Sequence, residues 1–97
     1  MEYPKSLKIG KHNYEVKLVD TIPGVCGYVN YTYKYIKLAA RSSHTGCSYK
    51  RDDRDDTFWH ELTHAILYEM GHKLYNNEKF VSQFSGLLTK AINSARF

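Results

Sequence analysis

Leu7 and Ile9 flank Lys8, and Tyr14, Val16 and Leu18 alternate with Glu15 and Lys17. Alternation with a period of two puts every second side chain on one face of a strand. These segments therefore predict a hairpin that turns at Gly10-Lys11-His12-Asn13 and buries one face. Pro23-Gly24 breaks the pattern. Tyr28 to Tyr31 and Tyr35 to Ala39 are rich in aromatic and β-branched residues and predict a second hairpin, turning near Thr32-Tyr33-Lys34. In it Ile36 and Leu38 face the core, while Tyr35 and Lys37 face out. From Arg41 to Asp56 the chain is polar and patternless, which predicts a long loop running straight into the next element, placed to fold over it as a rim or lid.

The period then changes. Phe58, Trp59, Leu62, Ala65, Ile66, Leu67 and Met70 give dense apolar spacing on a helix, with Asp55, Asp56 and Thr57 at its start and Gly71 where it would end. After a connector over 72–77, Asn76-Asn77 offers an N-cap and Glu78 suits the positive end of a second helix dipole. Phe80, Val81, Phe84, Leu87, Leu88, Ala91 and Ile92 recur at helical spacing, with Gly86 a mild cost among them. The expected fold class is α+β, a single domain over residues 1–97. It has an antiparallel sheet of about four strands, followed by two helices whose apolar stripes cover one sheet face.

Composition narrows the class. A chain of 97 residues that is 42% hydrophobic and 25% charged has enough apolar surface for one modest core. No apolar run approaches the length of a membrane span, and the N-terminal Met1-Glu2-Tyr3-Pro4-Lys5 lacks the apolar segment of a signal peptide. A cytoplasmic location is the expectation. Cys26 and Cys47 lack metal-type or redox spacing and are expected to be free thiols. The net charge of +4 arises in the first half. There Lys5, Lys8, Lys11, Lys17, Lys34, Lys37, Arg41 and Lys50 outweigh Glu2, Glu15 and Asp20. These lysines are scattered rather than clustered, so nucleic acid is not the expected partner, and the nine tyrosines suit half-buried strands.

The chemistry lies in His60-Glu61-Leu62-Thr63-His64. Residues four apart on a helix share a face about 6 Å up the axis. Two neutral imidazoles there can close on one Zn²⁺, with Glu61 beside them to hold a water, which is the H-E-x-x-H pattern of zinc metalloproteases. A surface helix with two spare histidines is the plain alternative, but the apolar flanks would make unpaired polar groups costly to bury. Three protein ligands are needed for a site that does chemistry, and the third is open between Glu69, His72, Glu78 and the aspartates at 52, 53, 55 and 56. Glu69 lies nine residues past His60, about 180° around the helix. His72 does not fit the H-E-x-x-H-x-x-G-x-x-H spacing, in which Met70 takes the last position. His44-x-x-Cys47 is a weak second metal candidate.

With both helices in view, the chain resembles a minimal zincin of the gluzincin type, and most of all the small bacterial and phage-encoded metallopeptidase-like domains of the ImmA/IrrE family. The resemblance rests on His60 to His64 with Ala65-Ile66-Leu67, and on Glu78-Lys79-Phe80-Val81-Ser82-Gln83-Phe84. It covers about the last forty residues, and the preceding sheet only in general layout. It implies zinc held by His60, His64 and Glu78, with Glu61 as catalytic base. It also implies that the strand before the metal helix, Tyr35 to Ala39, is the edge on which a peptide substrate pairs. The expected function is then a zinc-dependent metallopeptidase acting on a protein or peptide. The alternative is a non-catalytic, zinc-stabilised module that binds a protein partner, and a nucleic-acid-binding module stands third. For the group that steadies the oxyanion, His72, Tyr75, His44 and Tyr49 are the candidates.

Overall fold

The computed structural model describes residues 2–97. Strand β1 (Ser6–Ile9) turns through Gly10-Lys11 into β2 (His12–Val19), and β3 (Gly27–Asn30) turns through 31–34 into β4 (Tyr35–Ala39). Helix α1 (Arg51–Glu69) and helix α2 (Glu78–Ser94) follow. The fold is α+β, as expected, and among the described residues no helix is long and apolar enough to cross a membrane.

The sheet is mixed, not antiparallel throughout. Its order is β1-β2-β4-β3, with β2 and β4 parallel and the other two pairs antiparallel. The cause is the irregular segment 20–26. It is long enough to carry β3 one strand position past its neighbour, so β4 folds back into the gap beside β2. Burial favours this placement. Ile36, Leu38 and Ala39 make β4 the most apolar strand, and all three are buried. A strand buried on its flanks belongs in the middle of a sheet. The expectation that Tyr35 to Ala39 is an edge is thereby corrected, because the free edge on that side is β3.

Helix α1 begins at Arg51, so the predicted loop to Asp56 is shorter than expected and the helix six residues longer. Asp52 and Asp53 sit in its first turn, where negative charge suits the dipole. Two partners distant in sequence hold the extension. Asp55 accepts a hydrogen bond from the Tyr3 hydroxyl at 2.8 Å, and Asp56 accepts one from Thr89 Oγ1 at 3.2 Å. The remaining loop is pinned by an isolated bridge between Arg41 and Ser48 and by the Arg41–Asp20 ion pair.

Only α1 covers the sheet. Phe58 and Ala65 pack with Ile9, Tyr14, Ile36 and Leu38 as the core, with Leu62 beside them. Residues 58, 62 and 65 fall on one stripe of the helix. The expectation that both helices cover the sheet is corrected, since α2 packs on the far side of α1 and makes no contact with the sheet. Its inward residues, Val81, Ser85 and Thr89, are buried. They are too small to fill a sheet face, but they let α2 approach α1 closely. The protein is thus three layers deep, and the site forms between the second and third.

Candidate metal centre

His60 and His64 project from α1 on the side opposite Phe58 and Leu62, toward α2. Glu78 is the first residue of α2, where Asn77 caps the helix by accepting from the Phe80 amide at 2.9 Å. The connector delivers that start. Gly71 takes the left-handed conformation (φ 67°) that ends α1, and 72–77 turn the chain back along the helix.

Donor atoms of the three residues converge. His60 Nε2 lies 3.2 Å from His64 Nε2 and 3.0 Å from one Glu78 oxygen, and His64 Nε2 lies 2.8 Å from the other. Among the described residues, these three form the one cluster of His, Cys, Asp or Glu side chains close enough to share a metal ion. Ligands about 2.05 Å from a tetrahedral zinc lie about 3.3 Å apart, so the 3.2 Å spacing of the two imidazole nitrogens fits such an ion, with Glu78 within reach of both.

The outer partners fit as well. The backbone carbonyl of Tyr75 accepts only, so His64 Nδ1, 2.6 Å away, carries a proton, which leaves Nε2 as the atom turned inward to meet a metal. Ser85 Oγ, fully buried, stands 3.5 Å from His60 Nδ1. Metal-binding imidazoles commonly have a partner on the second nitrogen. Without a cation, the facing lone pairs and a carboxylate need a shared proton to coexist. That donor set suits a divalent metal of the zinc type.

Glu61 is buried, and burial pushes its carboxyl up from 4.5 to about 7. The nearby His64 opposes that rise and the Glu78 charge adds to it. With His60, Thr57, Asp56, Gly27 and Cys26 it lines a cleft of about 240 Å³ between α1 and the start of β3. Gly27 is required there, because a Cβ would meet Thr57 Cγ2 at 2.8 Å and the Lys37 carbonyl at 2.9 Å.

The other candidates lie elsewhere. Glu69 accepts hydrogen bonds from Lys34 Nζ, at 2.8 Å, and from the Tyr14 hydroxyl, on the sheet side of α1. His72 accepts from the Leu74 amide at 3.1 Å and so shapes the connector. Cys26 and Cys47 are free and exposed, and His44 and Cys47 belong to no metal-type cluster among the described residues.

Two contributors have no signal in the sequence. Tyr75 acts through its carbonyl, which its side chain does not advertise. Tyr31, in the β3–β4 turn, stacks on Tyr68 with ring centroids 4.3 Å apart and meets Tyr75 edge-on. Burial first, and then the charges of Glu61 and Glu78, push its hydroxyl up to about 12, so it remains a donor beside the site. Comparison with known proteins returns no match, whether by family model, by sequence or by solved structure.

Proposed function

We propose that this chain is a zinc-dependent metallopeptidase-like protein on a minimal zincin-like fold, with His60, His64 and Glu78 as metal ligands and Glu61 as general base. The observation that carries the reading is the convergence of two imidazole nitrogens 3.2 Å apart with the two oxygens of one carboxylate, one at 3.0 Å from His60 and the other at 2.8 Å from His64, and a buried carboxyl on the next residue of the same helix. Bound zinc would supply a Lewis acid that polarises a carbonyl and acidifies water. Glu61 takes a proton from the attacking water and returns it to the departing amine. A peptide in the cleft would run along the free edge of β3 at Gly27, and the Tyr31 hydroxyl would donate to the carbonyl oxygen as charge develops there. The free thiols fit a reducing, cytoplasmic setting.

The second reading is a zinc-stabilised protein-binding module, which the small size of the cleft favours. One experiment separates them: metal analysis of protein purified without added zinc, with hydrolysis of a fluorogenic peptide library by wild type and Glu61→Gln. About one zinc per chain is expected, with Glu61→Gln retaining metal and fold and losing hydrolysis. No transition metal and no melting shift on adding zinc overturns both readings. Bound zinc without hydrolysis selects the binding module, and hydrolysis indifferent to Glu61→Gln overturns the assignment of Glu61 as the base.

A further inference from the structure

Helix α2 turns its most apolar stripe away from the body of the protein. At 100° per residue, Phe80, Phe84, Leu87 and Ala91 fall within about 60° of one another. Yet Phe84 is 49% exposed and Leu87 63%. On the adjoining surface of α1, Ile66 and Met70 sit one turn apart, and Met70 is 66% exposed. Between the two helices runs a groove of about 200 Å³, lined by Thr63, Ile66, Leu67, Met70, Phe80 and Phe84. Phe80 and Phe84 lie ring over ring along it, 6.1 Å apart. Large apolar side chains gathered on one face of a small protein mark a contact surface.

We propose that this face is a two-fold interface with a second copy of this chain. Size is the first argument. The exposed parts of Ile66, Met70, Phe80, Phe84 and Leu87 amount to about 500 Å² per copy, most of the ~800 Å² that each partner buries in a stable interface. Self-complementarity is the second, since a two-fold contact needs both a projection and a recess on one surface. Leu87 projects, and it lies three residues, about 4.5 Å, beyond Phe84 along the helix. With two α2 helices antiparallel and Phe84 at the axis, the partner's Leu87 falls opposite residues 80–81, at the mouth of the groove. The reciprocal contact forms by symmetry. No charged residue interrupts the stripe, and Lys79 and Lys90 stand at its rim. The proposal stands apart from the metal reading, because none of these side chains is a zinc ligand.

The test is sedimentation velocity on the full chain from about 1 to 200 μM, with and without zinc. A concentration-dependent dimer is expected. Leu87→Glu and Met70→Glu should each raise the dissociation constant at least 100-fold, with an unchanged far-ultraviolet circular dichroism spectrum. Leu18→Glu, at an exposed leucine on the sheet, should leave the dimer intact. A monomer at every concentration, assembly beyond two copies, or equal disruption by Leu18→Glu overturns the proposal. Because Met70 caps the end of α1 and Leu87 lies on α2, failure of one variant to fold leaves the other to decide.

Discussion

His64 donates from Nδ1 to the carbonyl oxygen of Tyr75 at 2.6 Å, which ties the middle of α1 to the connector that launches α2. The bond fixes the imidazole with Nε2 toward Glu78 and fixes the connector so that Glu78 arrives there. The ligand set therefore depends on the path of 72–77 as much as on the histidines. Glu78→Ala should lower zinc affinity at least 100-fold in a chelator competition, while His72→Ala and Glu69→Ala stay within a few-fold of wild type. Release of zinc by His72→Ala with Glu78→Ala unaffected would reverse the assignment.

Ser85 is fully buried with its hydroxyl facing His60 Nδ1, and its only other polar partner is the Ser82 carbonyl at 3.4 Å. Removing an outer partner of a metal-binding histidine typically costs 10- to 100-fold in affinity. Ser85→Ala should weaken zinc binding about 10-fold, and should destabilise the metal-free protein by about 1 kcal/mol at most. Calorimetric titration measures the first and urea unfolding the second. Unchanged affinity would leave Ser85 as a packing residue only.

The features legible in the sequence are those written in local periodicity. The strands fall close to where alternation puts them, and both helix stripes and the Asn77 cap are plain in the residues. So are His60 and His64, four apart, because a helix alone makes them neighbours. What escaped is set by distant parts of the chain. The parallel β2–β4 pair depends on how far 20–26 reaches. The first turns of α1 look like loop because Asp55 and Asp56 find their partners in Tyr3 and Thr89. The apolar stripe of α2 reads as core, yet the sequence has no sign that Val81, Ser85 and Thr89 face inward instead. Leu18, alternating correctly, is nonetheless 49% exposed.

Gly27 offers a test of the cleft wall. A methyl group at this position would need about half an ångström of movement from backbone as well as from Thr57. Overpacking of this kind costs about 1–3 kcal/mol. Gly27→Ala should lower stability by that amount, and should impair hydrolysis more than zinc binding, since β3 moves while the ligands on α1 and α2 do not. Urea unfolding and metal analysis of the same preparation check this, and wild-type stability would show that the wall gives freely.

Glu69 closes the sheet-side stripe of α1 and holds the β3–β4 turn. Lys34 sits there with a left-handed backbone (φ 60°), unusual for a residue with a side chain, and its ammonium group reaches Glu69 at 2.8 Å. Tyr14 donates to the same oxygen, and His12 lies 3.7 Å from the other. The Lys34 bond, then the Tyr14 bond, hold the Glu69 carboxyl below its ordinary value of 4.5. The folded protein therefore takes up this proton less readily than the unfolded chain. The resulting stabilisation is complete above about pH 4.5 and is lost as pH falls through the lower folded value. Glu69→Gln keeps the shape but removes the charge, so metal-free protein should lose about 1–2 kcal/mol at neutral pH. That corresponds to about 5–10 °C in melting temperature for a domain of this size. As pH falls below about 4.5 the wild-type curve should fall toward the variant's and the two should meet. The same turn carries Tyr31 over Tyr68 and Tyr75, so the variant should also weaken hydrolysis while zinc stays bound. Parallel acid limbs in the two proteins would mean that the Lys34–Glu69 pair contributes nothing to holding the turn against the helix.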